Sequence, residues 1–283
     1  STKDEGKDLM IDVSSSEFRI FAPVFVFLAG LCFGSFLNVC IYRIPLGQSV
    51  LHPPSSCPKC KNRLKAKDLI PVFSYIFLKG KCRYCNEPVS IQYPVVEMIT
   101  SVIWLIIYLR YGFTIEAAGL ILLFTILIPV FFIDLQHMII PNGLVLSGLI
   151  GGAAVFLYHV FVKPFGLYES ALWYTPLIGM FSSSLILFAV ALIGLAIYKN
   201  DGAMGMGDVK IFMPIGLFLG WKLSLLTLVI SVLLGGITSI ILLLFKIKDR
   251  KSAIPFGPFI ITAALFSALY GNQFLRWYLS ICY

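Results

Sequence analysis

The chain has 283 residues, 59% of them hydrophobic and 13% charged, with a formal net charge of +8. A soluble domain carries about 25% charged residues, so this composition excludes an ordinary soluble enzyme and points to a bilayer. The apolar runs approach the ~20 residues needed to cross a membrane and are continuous rather than alternating, which excludes a β-barrel.

The expected fold class is an all-α polytopic membrane protein of about eight transmembrane helices, with a small cytoplasmic zinc-knuckle loop domain. Residues 1–20 read as a polar N-terminal tail, acidic through Asp4, Glu5, Asp8, Asp12 and Glu17 and lacking the apolar core of a signal peptide. Residues 21–42 are the first transmembrane helix. Residues 43–93 form a polar tetra-cysteine domain, and residues 94–283 a multi-helix membrane domain. Within the latter, spans are expected at Pro94 to Leu109, Ala117 to Asp134, Gly143 to Val162, Pro176 to Tyr198, Val209 to Gly220, Leu223 to Phe245 and Ile254 to Leu275. The span opening at Val209 is the weak one. Its twelve residues reach roughly 18 Å against a core of roughly 30 Å, and Pro214 is placed to kink it. A half-helix and a continuation through Trp221 and Lys222 are both compatible with it, and seven spans are the alternative count.

Orientation follows from the basic loops. Between Arg43 and Gln92 there are nine Lys and Arg residues against two acids, Asp68 and Glu87. A second basic loop holds Lys246, Lys248, Arg250 and Lys251 against Asp249. Eight spans put both loops on one face, the cytoplasmic one. The net charge belongs to these loops, so the expected partner is membrane lipid and not nucleic acid.

Cys57-Pro58-Lys59-Cys60 and Cys82-Arg83-Tyr84-Cys85 are paired Cys-x-x-Cys knuckles with 21 residues between them. That spacing suits four thiolates around a structural zinc ion, which would supply folding energy to a loop too small and polar for its own core. Two disulfides or a redox pair are the alternative, disfavoured on a reducing face. Cys32, Cys40 and Cys282 read as packing residues.

Three carboxylates lie in or beside apolar segments: Glu97, Asp134 and Asp208. Ionisable groups there are costly to bury and are candidates for function. Alternating spans place Asp134 at the end of an inward-running helix and Asp208 at the start of an outward-running one, so both fall at the cytoplasmic side. Two close carboxylates share a proton, and the pair can then activate a water and polarise a scissile carbonyl. Gly205 and Gly207 would let a substrate backbone approach Asp208. Lys210, two residues on, does not face Asp208 on a regular helix. Glu97 reads as a supporting polar residue near the surface, and His137 as solvated. The residues alone leave two other readings open: interfacial helix caps, and a membrane transporter or metal carrier using Asp134 and Asp208 as ligands.

Six motifs in order carry a resemblance. They are Gly34-Ser35-Phe36-Leu37-Asn38-Val39 with Tyr42-Arg43-Ile44-Pro45, the two knuckles, Tyr93-Pro94-Val95-Val96-Glu97, Asp134-Leu135-Gln136-His137-Met138-Ile139-Ile140-Pro141-Asn142, Gly205-Met206-Gly207-Asp208-Val209-Lys210, and Ile254-Pro255-Phe256-Gly257-Pro258. Over about residues 20–275 the chain resembles the type IV prepilin peptidases, bacterial inner-membrane enzymes of the GxGD aspartyl protease class. The resemblance implies a catalytic pair of Asp134 and Asp208. It implies removal of the short basic leader of prepilins and pseudopilins between Gly and Phe on the cytoplasmic side. It also implies N-methylation of the new N-terminal residue from S-adenosylmethionine, an activity linked to the cysteine loop. Asn142 stands where the family often has Asp. No strand–glycine-loop–helix unit for S-adenosylmethionine is visible, so no residue is assigned to that cofactor.

Overall fold

A computed structural model describes residues 16–198, 205–246 and 254–282. The acids from Asp4 to Asp12, and Lys248, Asp249, Arg250 and Lys251 of the second basic loop, lie outside the described residues. Among the described residues the structure is helical, with only two isolated β-bridges. The long helices are α1 (Ser16–Arg43), α3 (Gln92–Tyr111), α4 (Ile115–His137), α5 (Asn142–Phe161), α6 (Thr175–Tyr198), α7 (Met206–Leu244) and α8 (Gly257–Cys282). A five-residue helix, α2 (Phe73–Phe77), lies in the tetra-cysteine segment. Among the described residues seven helices are long and apolar enough to cross a membrane. The chain is a multi-pass membrane protein.

The 39 residues of α7 would reach about 58 Å if straight, roughly twice the hydrocarbon core. They are broken at Gly220, whose φ of 74° and ψ of 174° are not helical. The neighbours show that the chain reverses there. In the first arm, residues 206–219, Pro214 lies against Gly148 and Leu217 against Gly152, so this arm runs parallel to α5. In the second arm, residues 221–244, Leu223 lies against Gly271 while Gly235 lies against Phe256 and Phe259, so this arm runs antiparallel to α8. Helix α8 in turn starts beside Asp134 near the end of α4, with the Gly257 N–H on that carboxylate. The arms therefore form a hairpin, and the seven long helices of the described residues make eight alternating runs, two of them within α7. The expected kink at Pro214 is not found: the first arm stays helical through it, and the break is at Gly220. Helix α1 starts at Ser16, but its membrane-crossing stretch is Ile20–Arg43, within a residue of the expected span, while the last helix runs on to Cys282.

The first arm spans only about 21 Å, shorter than the roughly 30 Å hydrocarbon core, so an arm entering from one membrane face turns back within the core. A reversal at that depth frees backbone carbonyls with no water to take them. The connection between α5 and α6 folds in over it. Tyr168, in the one-turn 3-10 helix Gly166–Tyr168, donates its hydroxyl to the Leu217 carbonyl at 2.5 Å. Phe165, Leu167 and Tyr168 are buried around the break, with His159 held between the Phe165 N–H and the Leu172 carbonyl.

Lipid tails are as apolar as leucine, so packing here depends on close approach more than on hydrophobic burial. Glycines supply it. Gly30 and Gly34, four apart on α1, lie against Ser101 and Glu97 of α3, where an added Cβ would sit 2.5 and 2.6 Å from Cα atoms. Gly179 of α6 meets Gly216 and the Gly220 turn. Helix α4 is the most buried of the spans, with Leu120, Leu123, Phe124, Leu127, Val130 and Ile133 fully enclosed. It is the post against which α1, α3, α5 and α8 pack.

Candidate active site

Asp134 lies one turn before the end of α4 and is buried. The Gly257 N–H, the first of α8, donates to its Oδ2 at 2.8 Å. A helix N-terminus carries unpaired donors and partial positive charge, so α8 is aimed at the carboxylate. Asp208 occupies the third position of the first turn of α7, its N–H bonded to the Gly205 carbonyl. It also sits at a positive helix end. The α4–α5 turn joins the two elements. Ile140 lies against Gly207, and Lys210 donates to Asn142 Oδ1 at 3.2 Å. Asp134 and Asp208 are thus brought to one end of the bundle.

The remaining site candidates divide. Gly207 has a packing role, since a Cβ there would come within 2.9 Å of Ile140. Gly205 is exposed, and a Cβ there would stand 3.2 Å from Asp208 Oδ2, so its bare backbone leaves that side of the carboxylate open. Glu97 is tied elsewhere: its Oε2 accepts the Val72 N–H at 2.7 Å, and Ser35 also bonds it. It fastens the tetra-cysteine segment to α3. His137 is exposed. Gly257 and Ile140 join the site without being candidates by sequence. Ile254-Pro255-Phe256-Gly257-Pro258 carries the signal for the first, a proline-bounded glycine opening a helix. No pattern marks Ile140.

The four knuckle cysteines converge. Their sulfurs lie within 4.8 Å of one another, and Cys57 Sγ is 3.9 Å from Cys85 Sγ. Zinc–sulfur bonds of about 2.3 Å in a tetrahedron place sulfurs about 3.8 Å apart, so the set fits the ion. The two knuckles repeat one backbone plan. The Cys57 N–H bonds Asn62 O and the Lys61 N–H bonds Cys57 O; the Cys82 N–H bonds Glu87 O and the Asn86 N–H bonds Cys82 O. Lys61 and Asn86 both take the left-handed conformation. The Cys60 N–H draws the Cys57 thiol down to about 7. Cys85 accepts from the Glu87 N–H, but desolvation and the three other sulfurs push it up to about 12. Four crowded sulfurs do not all ionise without a cation among them. Desolvation opposes ionisation of Asp68, yet Arg83, the Lys65 N–H and Tyr84 hold its carboxyl below the usual range, pinning the second knuckle to the loop before it. All seven cysteines are free. Cys40 packs in the interior as expected; Cys32 and Cys282 are exposed, a correction to their reading as packing residues.

Residues 28–111 match the Bacterial Peptidase A24 N-terminal domain, and residues 121–240 match the Type IV leader peptidase family. The prepilin leader peptidase/N-methyltransferase of Bacillus subtilis (strain 168) is 32% identical, over 90% of this chain and 97% of that protein. The chain belongs to the type IV leader peptidase family. The protein of the same name from Legionella pneumophila is 32% identical over 95% of this chain and 99% of its own length. The one from Myxococcus xanthus (strain DK1622) is 34% identical over 78% of this chain, which spans only 63% of that longer protein. No solved structure matches. The two family segments divide the site between them: the first holds the knuckles and Glu97, the second holds Asp134 and Asp208.

Proposed function

We propose that the chain is an aspartyl endopeptidase of the bacterial inner membrane that removes the basic leader of type IV prepilins and pseudopilins at the cytoplasmic face. The observation that carries this reading is the pair of carboxylates that two separate helices bring to one end of the bundle, each at a positive helix terminus. One aspartate takes a proton from water as that water attacks the scissile carbonyl. The other, protonated, donates a hydrogen bond to the carbonyl oxygen, where negative charge develops. Collapse of the tetrahedral adduct breaks the C–N bond, and the proton taken from water passes to the leaving amine. The products are the leader with a new carboxylate and the mature pilin with a new amino terminus. The Gly257 N–H orients Asp134 throughout.

The basic tetra-cysteine loop lies at the aspartate end of the bundle, where Gln136 of α4 bonds Gln92 of α3 at 2.9 Å. The bias of Lys and Arg toward this end supports its facing the cytoplasm. Cys57, Cys60, Cys82 and Cys85 would hold a structural zinc ion, whose contribution is folding energy for that loop. Methylation of the new amino terminus by S-adenosylmethionine accords with the names of the relatives. The described residues contain no strand–glycine-loop–helix unit to cradle that cofactor, so no residue is assigned to it.

Asp134→Asn and Asp208→Asn test the reading. Each is expected to lower leader cleavage by at least ~10²-fold in reconstituted protein while the variant still inserts and folds. Substantial cleavage by either variant would remove the dyad. The transporter alternative is disfavoured by depth, since transport sites lie near the bilayer midplane and these two acids lie at one end.

A further inference from the structure

Between the two knuckles the chain is unusually apolar for a segment outside the spans. Leu69 to Leu78 contains no charged residue. Its large side chains are not buried: Leu69, Ile70, Phe73, Ile76 and Phe77 are all exposed, Phe77 by 80%. Phe73, Ile76 and Phe77 stand three and four apart on α2 and so share one face. An extramembrane domain rarely shows such a patch to water.

The position of α2 resolves this. Val72, immediately before α2, donates its N–H to the Glu97 carboxylate at 2.7 Å. Glu97 lies five residues inside α3, about 7 Å along its axis, and helical side chains lean back toward the helix start. The start of α2 is therefore level with the first turns of a membrane-spanning helix, not above them. Charge agrees with depth. Lys65 and Lys67 precede the apolar run and Lys79 and Lys81 follow it, all four exposed. Apolar residues at acyl depth with lysines on either side are the pattern of a segment lying in the interface of an anionic membrane.

We infer that residues 69–78 form an interfacial anchor: α2 dips its Phe73–Ile76–Phe77 face into the near leaflet, and the flanking lysines hold anionic lipid headgroups. The tetra-cysteine domain is thereby fixed to the bilayer at three points, through α1, through α3 and through α2. This holds whether or not the chain cleaves prepilins, because it rests on depth and polarity alone.

The test uses the full-length protein with the photo-reactive residue benzoylphenylalanine replacing Phe77, Ile76 or, as control, Lys61. Each variant is reconstituted in vesicles of phosphatidylethanolamine and phosphatidylglycerol, irradiated, and read by mass spectrometry. The expected result is a phospholipid adduct at Phe77 and Ile76 and none at Lys61, with the yield falling several-fold when phosphatidylcholine replaces phosphatidylglycerol. Phe77 and Ile76 are surface residues, so the replacements leave the fold in place. Adducts at Lys61 as strong as at Phe77, or crosslinks at Phe77 and Ile76 to a second copy of the chain or to added prepilin in place of lipid, would overturn the anchor.

Discussion

Gly257 illustrates how a residue without a side chain can position the carboxylate on which the proposed chemistry depends. Its N–H holds Asp134 Oδ2 at 2.8 Å, and an added Cβ would stand 2.8 Å from the same oxygen. Gly257→Ala is therefore expected to displace the carboxylate and lower cleavage by on the order of 10²-fold, with the unfolding temperature nearly unchanged. A rate near that of the parent protein would show that Asp134 keeps its place without this contact. Gly207 acts on the other aspartate through packing, and Gly207→Ala should push Ile140 and the α4–α5 turn away from Asp208. The shared end of the two aspartates is legible in the sequence because acids at the ends of apolar segments are rare and costly. Gly257 and Ile140 are not, because their roles are contacts across 123 and 67 residues of chain that no local pattern encodes. Glu97 was legible as a supporting residue, but what it supports is the Val72 N–H, visible only once α2 is folded against α3.

At the scale of elements, the hairpin in α7 decides where Asp208 sits. Its first arm is short because the chain reverses at Gly220, where a positive φ and the ring of Tyr168 leave no room for a side chain. Gly220→Ala is expected to cost about 1–2 kcal/mol from the backbone conformation alone, and more from the collision with Tyr168. Tyr168→Phe, which leaves the Leu217 carbonyl unpaired, should cost about 1 kcal/mol. Thermal unfolding in lipid would show both, with Gly220→Ala the lower; equal stability to the parent would contradict the clamp. The sequence exposed the short arm by its length and the break by the gap between spans. It pointed to Pro214 as the kink because proline is the stronger local signal. The first arm accommodates that proline by packing it against Gly148 of α5, an arrangement settled by tertiary contact. The knuckles needed no such context, since Cys-x-x-Cys spacing fixes two sulfurs by local geometry. Cys57→Ser or Cys82→Ser is expected to lose bound zinc, measured by metal analysis of freshly reduced protein, and to destabilise the loop more than it slows cleavage. Parent protein purified without zinc would contradict the site.

Over the described residues, eight alternating runs place the aspartates, the knuckles and the start of α8 at one end, while the α5–α6 connection closes the other. Charge counting on the loops leads to the same alternation of ends, because lysine and arginine mark one face of a membrane protein. Contacts between helices were beyond its reach, since in lipid they follow from small residues and hydrogen bonds and not from an apolar stripe. The central claim is that Asp134 and Asp208 work as one unit. The measurement that tests it most directly is a double-mutant cycle on the rate of leader removal from a prepilin in vesicles, comparing Asp134→Asn, Asp208→Asn and the pair together. Residues that act as a unit are strongly non-additive. The account predicts that the double variant is no slower than the slower single variant. Losses that multiply, each aspartate contributing independently, would contradict it.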